Sequence, residues 1–367
     1  MYNSSFTVDL NVIKRNYRAV LSSLPGGCSV IPVLKRDAFG YGAARVSQAL
    51  LQEEQRPEMI ALAHPCEGLE LRRSGADCEL LILGAFLPST AALIKDCSLQ
   101  ATVFTPSQLE ALNSLASPGN RIGIQIKIET GLNRIGVRPG EELSKLLATL
   151  KRAEKLELKG VYSHFSDSEN YGSPLAGKQL EIYKRAVEQI EAAGFEIPLK
   201  HMCNSAASEW FEEAFLDAVR IGRRLYMGSR DHVDQIEETG TFKTEIVNLK
   251  TVKKGESVGY DGAYVPAEDT LIATLPIGYG DGLHMGLPAA GAPLLINGQR
   301  ARYAAICMDQ CMVDAGGISC SVGDEAVIFG RASGGEFLSS QEVAKHINDE
   351  GVLLTSFLGS RVERIYQ

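Results

Sequence analysis

The stretch Val30–Gly42, VIPVLKRDAFGYG, decides how the chain is read. Its first residues are apolar enough for a buried strand, and the run stops at Lys35. Behind the lysine stands Arg36-Asp37-Ala38-Phe39-Gly40-Tyr41-Gly42, a turn with two glycines. An amine that ends a buried strand and faces a glycine-rich loop belongs where several strand ends form a rim.

The same pattern repeats downstream. Short apolar runs begin at Met59, Cys78, Gln100, Ile122, Leu158, Leu199 and Ala218, and with the run from Cys28 they make eight. Amphipathic stretches such as AARVSQALLQEEQ, PSQLEALNSLA and GKQLEIYKRAVEQIEAAG lie between them. Thr105-Pro106 and Ser173-Pro174 read as helix starts, and Gly194 as a helix end. Eight strands alternating with helices over residues 1–240 predict a (β/α)8, TIM-like barrel, with a doubly wound sheet as the alternative. Over 241–367 strands are broken by turns, with Asn297-Gly298 as a hairpin signal and one helix capped by Ser339 or Ser340. The expected fold class is α/β: an N-terminal (β/α)8 barrel followed by a mostly-β C-terminal domain.

The formal charge of −8 over 367 residues argues against nucleic acid, which needs a basic face. No run approaches the roughly 18 apolar residues of a membrane span. The N-terminus, MYNSSFTVDLNVIKRNY, lacks the charged start and apolar middle of a secretory signal. The eight cysteines form no CxxC pair and sit mostly in apolar runs, so a reduced, cytoplasmic protein without a metal site is expected.

On a barrel the strand ends would gather Lys35, Lys127, Arg134, His164, Asn204, Ser205, Arg220 and Gly222 on one rim. Taken singly, each has an ordinary reading. Lys35 is a solvated strand end, His164 a satisfied core histidine, and Ser205 in NSAAS an N-cap. Together they read differently. A partly desolvated amine can bond covalently to a carbonyl. NSAAS and VRIG offer backbone N–H groups to an anion. A carbonyl-capturing lysine beside a phosphate cradle fits pyridoxal 5'-phosphate, PLP.

These residues resemble those of the alanine racemases, PLP enzymes with a barrel followed by a β domain. KRDAFGYG is similar to that family's Lys-x-(Asp/Asn)-Ala-Tyr-Gly-His-Gly signature. KIETGLNRIG, YSHFSDSE, NSAAS, VRIG, VGYDGAY, PIGYGDG and ICMDQCMVD resemble further blocks in the same order, across nearly the whole chain. The resemblance implies a PLP-dependent racemase that interconverts L- and D-alanine, in a homodimer with shared sites. Lys35 would hold PLP and act as one base, and Tyr260 from the partner subunit as the other. A racemase needs a base on each face of the planar α-carbon.

By the same resemblance, Arg220 would face the pyridine nitrogen, and His164 would help tune the site. Ser205 and the Gly222-Arg223 backbone would hold the phosphate, with Asn204 at the same end. Arg134 would meet the PLP phenolic oxygen and the substrate carboxylate. Lys127 matches a lysine that can be carbamylated, and Tyr279, Met308 and Asp309 would reach across the dimer. Two departures bear on function. Phe39 replaces a tyrosine that bonds the phosphate, which implies weaker PLP retention. Ser360 stands where some relatives have tyrosine, which implies a larger substrate pocket. With YDGAY and LGSRVER this is similar to the racemase domains of membrane-associated serine/alanine racemases, so serine is the alternative substrate. A barrel-fold PLP decarboxylase and a non-catalytic PLP carrier fit less well. Tyr260 in VGYDG and the order of the blocks speak against the first, and the β region from Phe242 onward against the second.

Overall fold

The computed structural model describes residues 4–228 and 236–367. The strands before the β region are β1 (Ser4–Val8), β2 (Ser29–Pro32), β3 (Met59–Leu62), β4 (Glu79–Ile82), β5 (Gln100–Val103), β6 (Ile122–Lys127), β7 (Leu156–Tyr162), β8 (Lys200–His201) and β9 (Ala218–Ile221). Strands β2 to β9 form one parallel sheet in the order β2-β9-β8-β7-β6-β5-β4-β3. A bridge between Val33 and Ala61 joins its two ends, where the Leu34 N–H donates to the Ala61 carbonyl at 2.9 Å. That closure makes a barrel and removes the doubly wound alternative. All eight apolar runs contribute its strands.

The helix signals act as expected. Thr105 accepts from the Gln108 N–H at the start of the helix Pro106–Leu115, and Ser173 accepts from the Ala176 N–H ahead of Pro174–Ala192. Gly194 follows that helix in the left-handed region, at φ +86°.

The barrel interior is partly polar. Gln100 Nε2 donates to Glu79 at 2.9 Å, and Gln125 Nε2 donates to Gln100 Oε1 at 2.8 Å. The buried His201 then bridges Gln125 Oε1, 2.7 Å from its Nε2, to Arg220 Nη1, 2.8 Å from its Nδ1. Polar groups this deep are tolerated because each finds a partner, and the chain of bonds leads from strand β4 to the rim.

The β region adds β10 (Thr241–Glu245), β11 (Asn248–Val252), β12 (Thr270–Leu275), β13 (Pro293–Ile296), β14 (Gln299–Ile306), β15 (Cys311–Asp314), β16 (Glu325–Arg331), β17 (Phe337–Leu338) and β18 (Glu363–Tyr366). Their sheet runs β11-β12-β15-β14-β13-β16-β10-β1-β18, with β17 on β16. Asn297 and Gly298, at φ +47° and +76°, turn β13 into β14.

Two sequence expectations need correction. The barrel does not begin at residue 1: β1 lies in the second sheet, antiparallel to β10 and parallel to β18. Its SSFTV run buries Ser4, Phe6 and Val8 in alternation, a five-residue signal too short to reveal its partner. The C-terminal region also holds two helices where one was expected, Ser340–His346 with its Ser339 cap and Gly351–Ser356. The second is six residues long, opens on glycine and has no side-chain cap, which explains its faint signal. No helix of the described residues is long and apolar enough to cross a membrane, and no His/Cys/Asp/Glu group among them is arranged to hold a metal.

Candidate active site

Directly after Lys35 the backbone turns left-handed. Arg36, Asp37, Ala38 and Phe39 all have φ between +54° and +56°. Non-glycine residues there cost roughly 1–2 kcal/mol each, so the turn requires support from its surroundings. Glu67 supplies much of it. Its Oε1 accepts the Arg36 N–H at 2.6 Å, and its Oε2 accepts the N–H groups of Ala63 and His64 at 2.7 and 3.0 Å. Asp37 accepts the Ala43 N–H at 2.7 Å. Gly40 must be glycine, because a Cβ there would collide with the Thr355 carbonyl of the β region. The turn is thus pinned to both units, and Lys35 enters the barrel mouth.

A hollow of about 520 Å³ opens there. Of the residues chosen from sequence, Lys35, Phe39, Lys127, Arg134, His164, Asn204, Ser205, Arg220, Gly222 and Arg223 line it. Burial lowers the Lys35 amine from its ordinary value, helped by the charges of Arg134 and Arg220 and opposed by Glu67. Lys127 is buried and donates to the Ile128 carbonyl at 2.6 Å. Burial brings its pKa down to about 7, against the pull of Glu129.

Arg220 is the centre of the far wall. Nη1 donates to His201 Nδ1 and the His201 carbonyl at 2.8 and 3.3 Å. Nη2 donates to the Ser163 carbonyl at 2.8 Å, His164 Nδ1 at 3.0 Å and the Met202 carbonyl at 3.1 Å. The Nε–H is left over among the described residues. Burial, then the Arg220 charge, holds both histidines well below the ordinary imidazole range. Both are therefore neutral, with the proton assigned to Nε2.

Ser205 corrects a sequence reading. Asn204 Oδ1 accepts the Ala207 N–H at 2.9 Å, while Ser205 Oγ accepts the Gly222 N–H at 3.0 Å instead of capping. Ser205 so joins two strand ends, and its own hydroxyl proton is free to donate. Gly222 packs under Phe39, whose ring would lie 2.9 Å from any Cβ placed there.

Tyr260, Tyr279, Met308, Asp309 and Ser360 do not line this hollow. They lie on the surface of the β unit, with Tyr260 77% exposed. The sequence reading also missed contributors. Tyr162 lines the hollow, stacks on His201 with ring centres 5.0 Å apart, and holds its hydroxyl on Thr102 and Leu83. Glu169 and Glu350 line it as well. Tyr162 ends an apolar strand beside Ser163-His164, a position that offered a usable signal; Glu350 had none.

Fold and site together define an enzyme of the barrel-plus-β class, with a lysine amine at the barrel mouth. Family models described as "Alanine racemase, N-terminal domain" and "Alanine racemase, C-terminal domain" match residues 8–230 and 239–366, and the chain belongs to the alanine racemase family. It is 31% identical over 366 residues to the alanine racemase of Desulfovibrio desulfuricans, covering 98% of this chain and 96% of that one. It is 32% identical to that of Halothermothrix orenii, with the same coverage. Among solved structures, alanine racemase from D-cycloserine-producing Streptomyces lavendulae superposes with a TM-score of 0.93 at 28% identity, covering 100% of this chain and 97% of that one. The Bacillus anthracis alanine racemase with bound L-Ala-P gives 0.92 at 28% identity, covering 100% and 95%.

Proposed function

We propose that the chain interconverts L- and D-alanine with PLP held in the barrel mouth. The observation that carries this is the donor set of one hollow: a lysine amine at the barrel mouth, a buried guanidinium with one N–H to spare among the described residues, and a hydroxyl beside a glycine. These match the aldehyde, the pyridine nitrogen and the phosphate of PLP. Bound PLP supplies an electron-withdrawing ring that makes the α-hydrogen of a bound amino acid acidic.

The chain's own groups do the rest. Arg220, which can donate but not accept, would hold the ring nitrogen of bound PLP and keep it unprotonated. The Ser205 hydroxyl proton and the backbone at Gly222-Arg223 would hold the phosphate, with Asn204 at the same end. Arg134, which makes no ion pair among the described residues, binds the substrate carboxylate. Lys35 exchanges the α-proton on one face. Its amine becomes neutral at a lower pH than an ordinary lysine's. Tyr260 of the partner subunit serves the opposite face in a homodimer. Support for this comes from Tyr260 itself, which is exposed and does not line its own chain's hollow.

Racemisation of L-alanine and L-serine by the PLP-loaded enzyme, followed by chiral chromatography, tests the reading. Alanine turnover is expected to dominate. Dominant serine turnover would move the substrate to the alternative, and turnover of neither would sink the racemase assignment.

Phe39 leaves the phosphate end one hydroxyl short. Phe39→Tyr is expected to tighten PLP by roughly 1.5–3 kcal/mol, the worth of a hydrogen bond to a charged group. Equilibrium dialysis that finds no tightening refutes this.

Lys127 is proposed to be carbamylated. Its neutral amine attacks carbon dioxide, forming a carbamate and releasing a proton, and the resulting anion pairs with Arg134. Only the unprotonated amine reacts, so capture should weaken as pH falls through about 7. Carbon-13 NMR after labelling with bicarbonate should show a signal that follows this trend and is missing in Lys127→Met. A signal that survives the substitution places the label elsewhere.

A further inference from the structure

Three loops of the β unit meet at Arg361. Its Nε donates to Asp281 Oδ1 at 2.7 Å, and its Nη1 pairs with Asp309 Oδ1 at 2.6 Å. Asp281 is buried. Its second oxygen accepts the Gly278 N–H at 2.9 Å, and its carbonyl accepts the Gly359 N–H at 2.9 Å. The first two loops are also stitched directly: the Tyr279 N–H donates to the Cys307 carbonyl at 3.0 Å, and the Gly280 N–H to the Met308 carbonyl at 2.9 Å. The backbones approach so closely that a Cβ on Gly278 would collide with the carbonyl oxygens of both Cys307 and Met308.

Turn, hairpin tip and C-terminal loop are therefore one body. What this body holds out to solvent is Tyr279, Met308 and Asp309, the first two 39% and 55% exposed. The Arg361 side chain is itself half exposed, so its ion pairs add little to stability. Its distinctive contribution is alignment, because one rigid guanidinium fork spans carboxylates on two separate loops. Without it, the Asp281 carboxylate loses its cation, and the two acidic groups face each other unneutralised.

We propose that Arg361 is a positioning residue that sets Tyr279 and Met308 in place for the active site of a second copy of this chain. The inference rests on the shared-site reading above. Side chains ordered before docking lose less freedom on docking, so the benefit falls on the neighbouring subunit's site and not on the chain's own hollow.

Mixed dimers test it. Arg361→Ala and Lys35→Ala chains carrying different tags are co-expressed, and the two-tag dimer is purified and loaded with PLP. The Arg361→Ala homodimer should keep its mass in sedimentation and its PLP content. Its kcat/KM should fall roughly 10- to 100-fold, mainly through KM, as expected for misplaced site walls. In the mixed dimer, the one site that retains Lys35 faces loops with an intact Arg361. That site should show wild-type KM. A mixed dimer that keeps the raised KM means Arg361 acts within its own chain and overturns the proposal, as does an Arg361→Ala homodimer with unchanged kinetics. If the alanine variant fails to assemble, Arg361→Lys replaces it; that variant reaches one carboxylate at a time and should give the same pattern with a smaller KM rise. A Tyr260→Phe/Lys35→Ala mixed dimer is run beside these. Recovery there with no recovery for Arg361 removes only the present proposal. No recovery in either removes the shared-site reading and this proposal with it.

Discussion

Lys35→Ala is expected to lower alanine racemisation by roughly 10²–10⁴-fold or more, the range for loss of a general base, here with loss of the covalent anchor added. The hollow holds no substitute. Lys127 is the other amine in its lining, but its Nζ is tied to the Ile128 carbonyl at 2.6 Å on a different strand. Lys35 also owes its place to a backbone turn that few other sequences would tolerate, so a neighbouring residue cannot be recruited by a small shift. The rate is followed by chiral chromatography, with methylamine added in a parallel series. Partial recovery with the added amine identifies a missing amine in an otherwise intact site. A variant that racemises at the wild-type rate would end the assignment of Lys35.

Arg220→Met should be the most damaging substitution for stability. Among the described residues, the five hydrogen bonds of this buried cation go to neutral acceptors, two imidazoles and three carbonyls. A methionine of similar length leaves those acceptors buried and unpaired. Leaving buried acceptors unsatisfied costs about 1–3 kcal/mol. Chemical denaturation at neutral pH reads the loss directly, and a loss below about 1 kcal/mol, typical of one net hydrogen bond, would show that the network relaxes freely.

The same experiment has a pH arm. His164 and His201 are neutral in the folded chain, below their ordinary 6.5, while an unfolded histidine takes up a proton near that value. The unfolded state therefore binds more protons below pH 6.5, and wild-type stability should decline as pH falls through it. Arg220 is one cause of the depression and burial is the larger. Without the arginine the decline should be shallower but still present. A steeper decline would contradict the stated roles.

Much of the fold was readable because parallel barrel strands are buried on both faces and appear as plain apolar runs. Thr105, Ser173 and Asn297-Gly298 announced their turns for equally local reasons. The residues that escaped are those whose partners are distant in sequence. Gln125 and His201 look unremarkable on their strands; only barrel closure brings them together. Glu67 lies 31 residues from the turn it supports, and Arg361 lies 80 from Asp281. Whether Ser205 caps a helix was also undecidable locally, since its type commonly serves there. The position of Gly222 on another strand settled it. For Tyr260 the relevant neighbour is proposed to belong to another chain altogether.

The location of β1 has a consequence for how the molecule comes into being. Its hydrogen-bonding neighbours, β10 and β18, are more than 230 and 350 residues away along the chain. During synthesis the first strand emerges and must wait, unpaired, while the entire barrel is made. The barrel is in effect an insertion within the β unit, and assembly of that sheet depends on contacts of very long sequence separation, which fold slowly. A protease cut in the connection near residue 238 would therefore not release two self-sufficient halves. It would leave one fragment with an orphaned strand and the other with a gap between β10 and the edge strand β18.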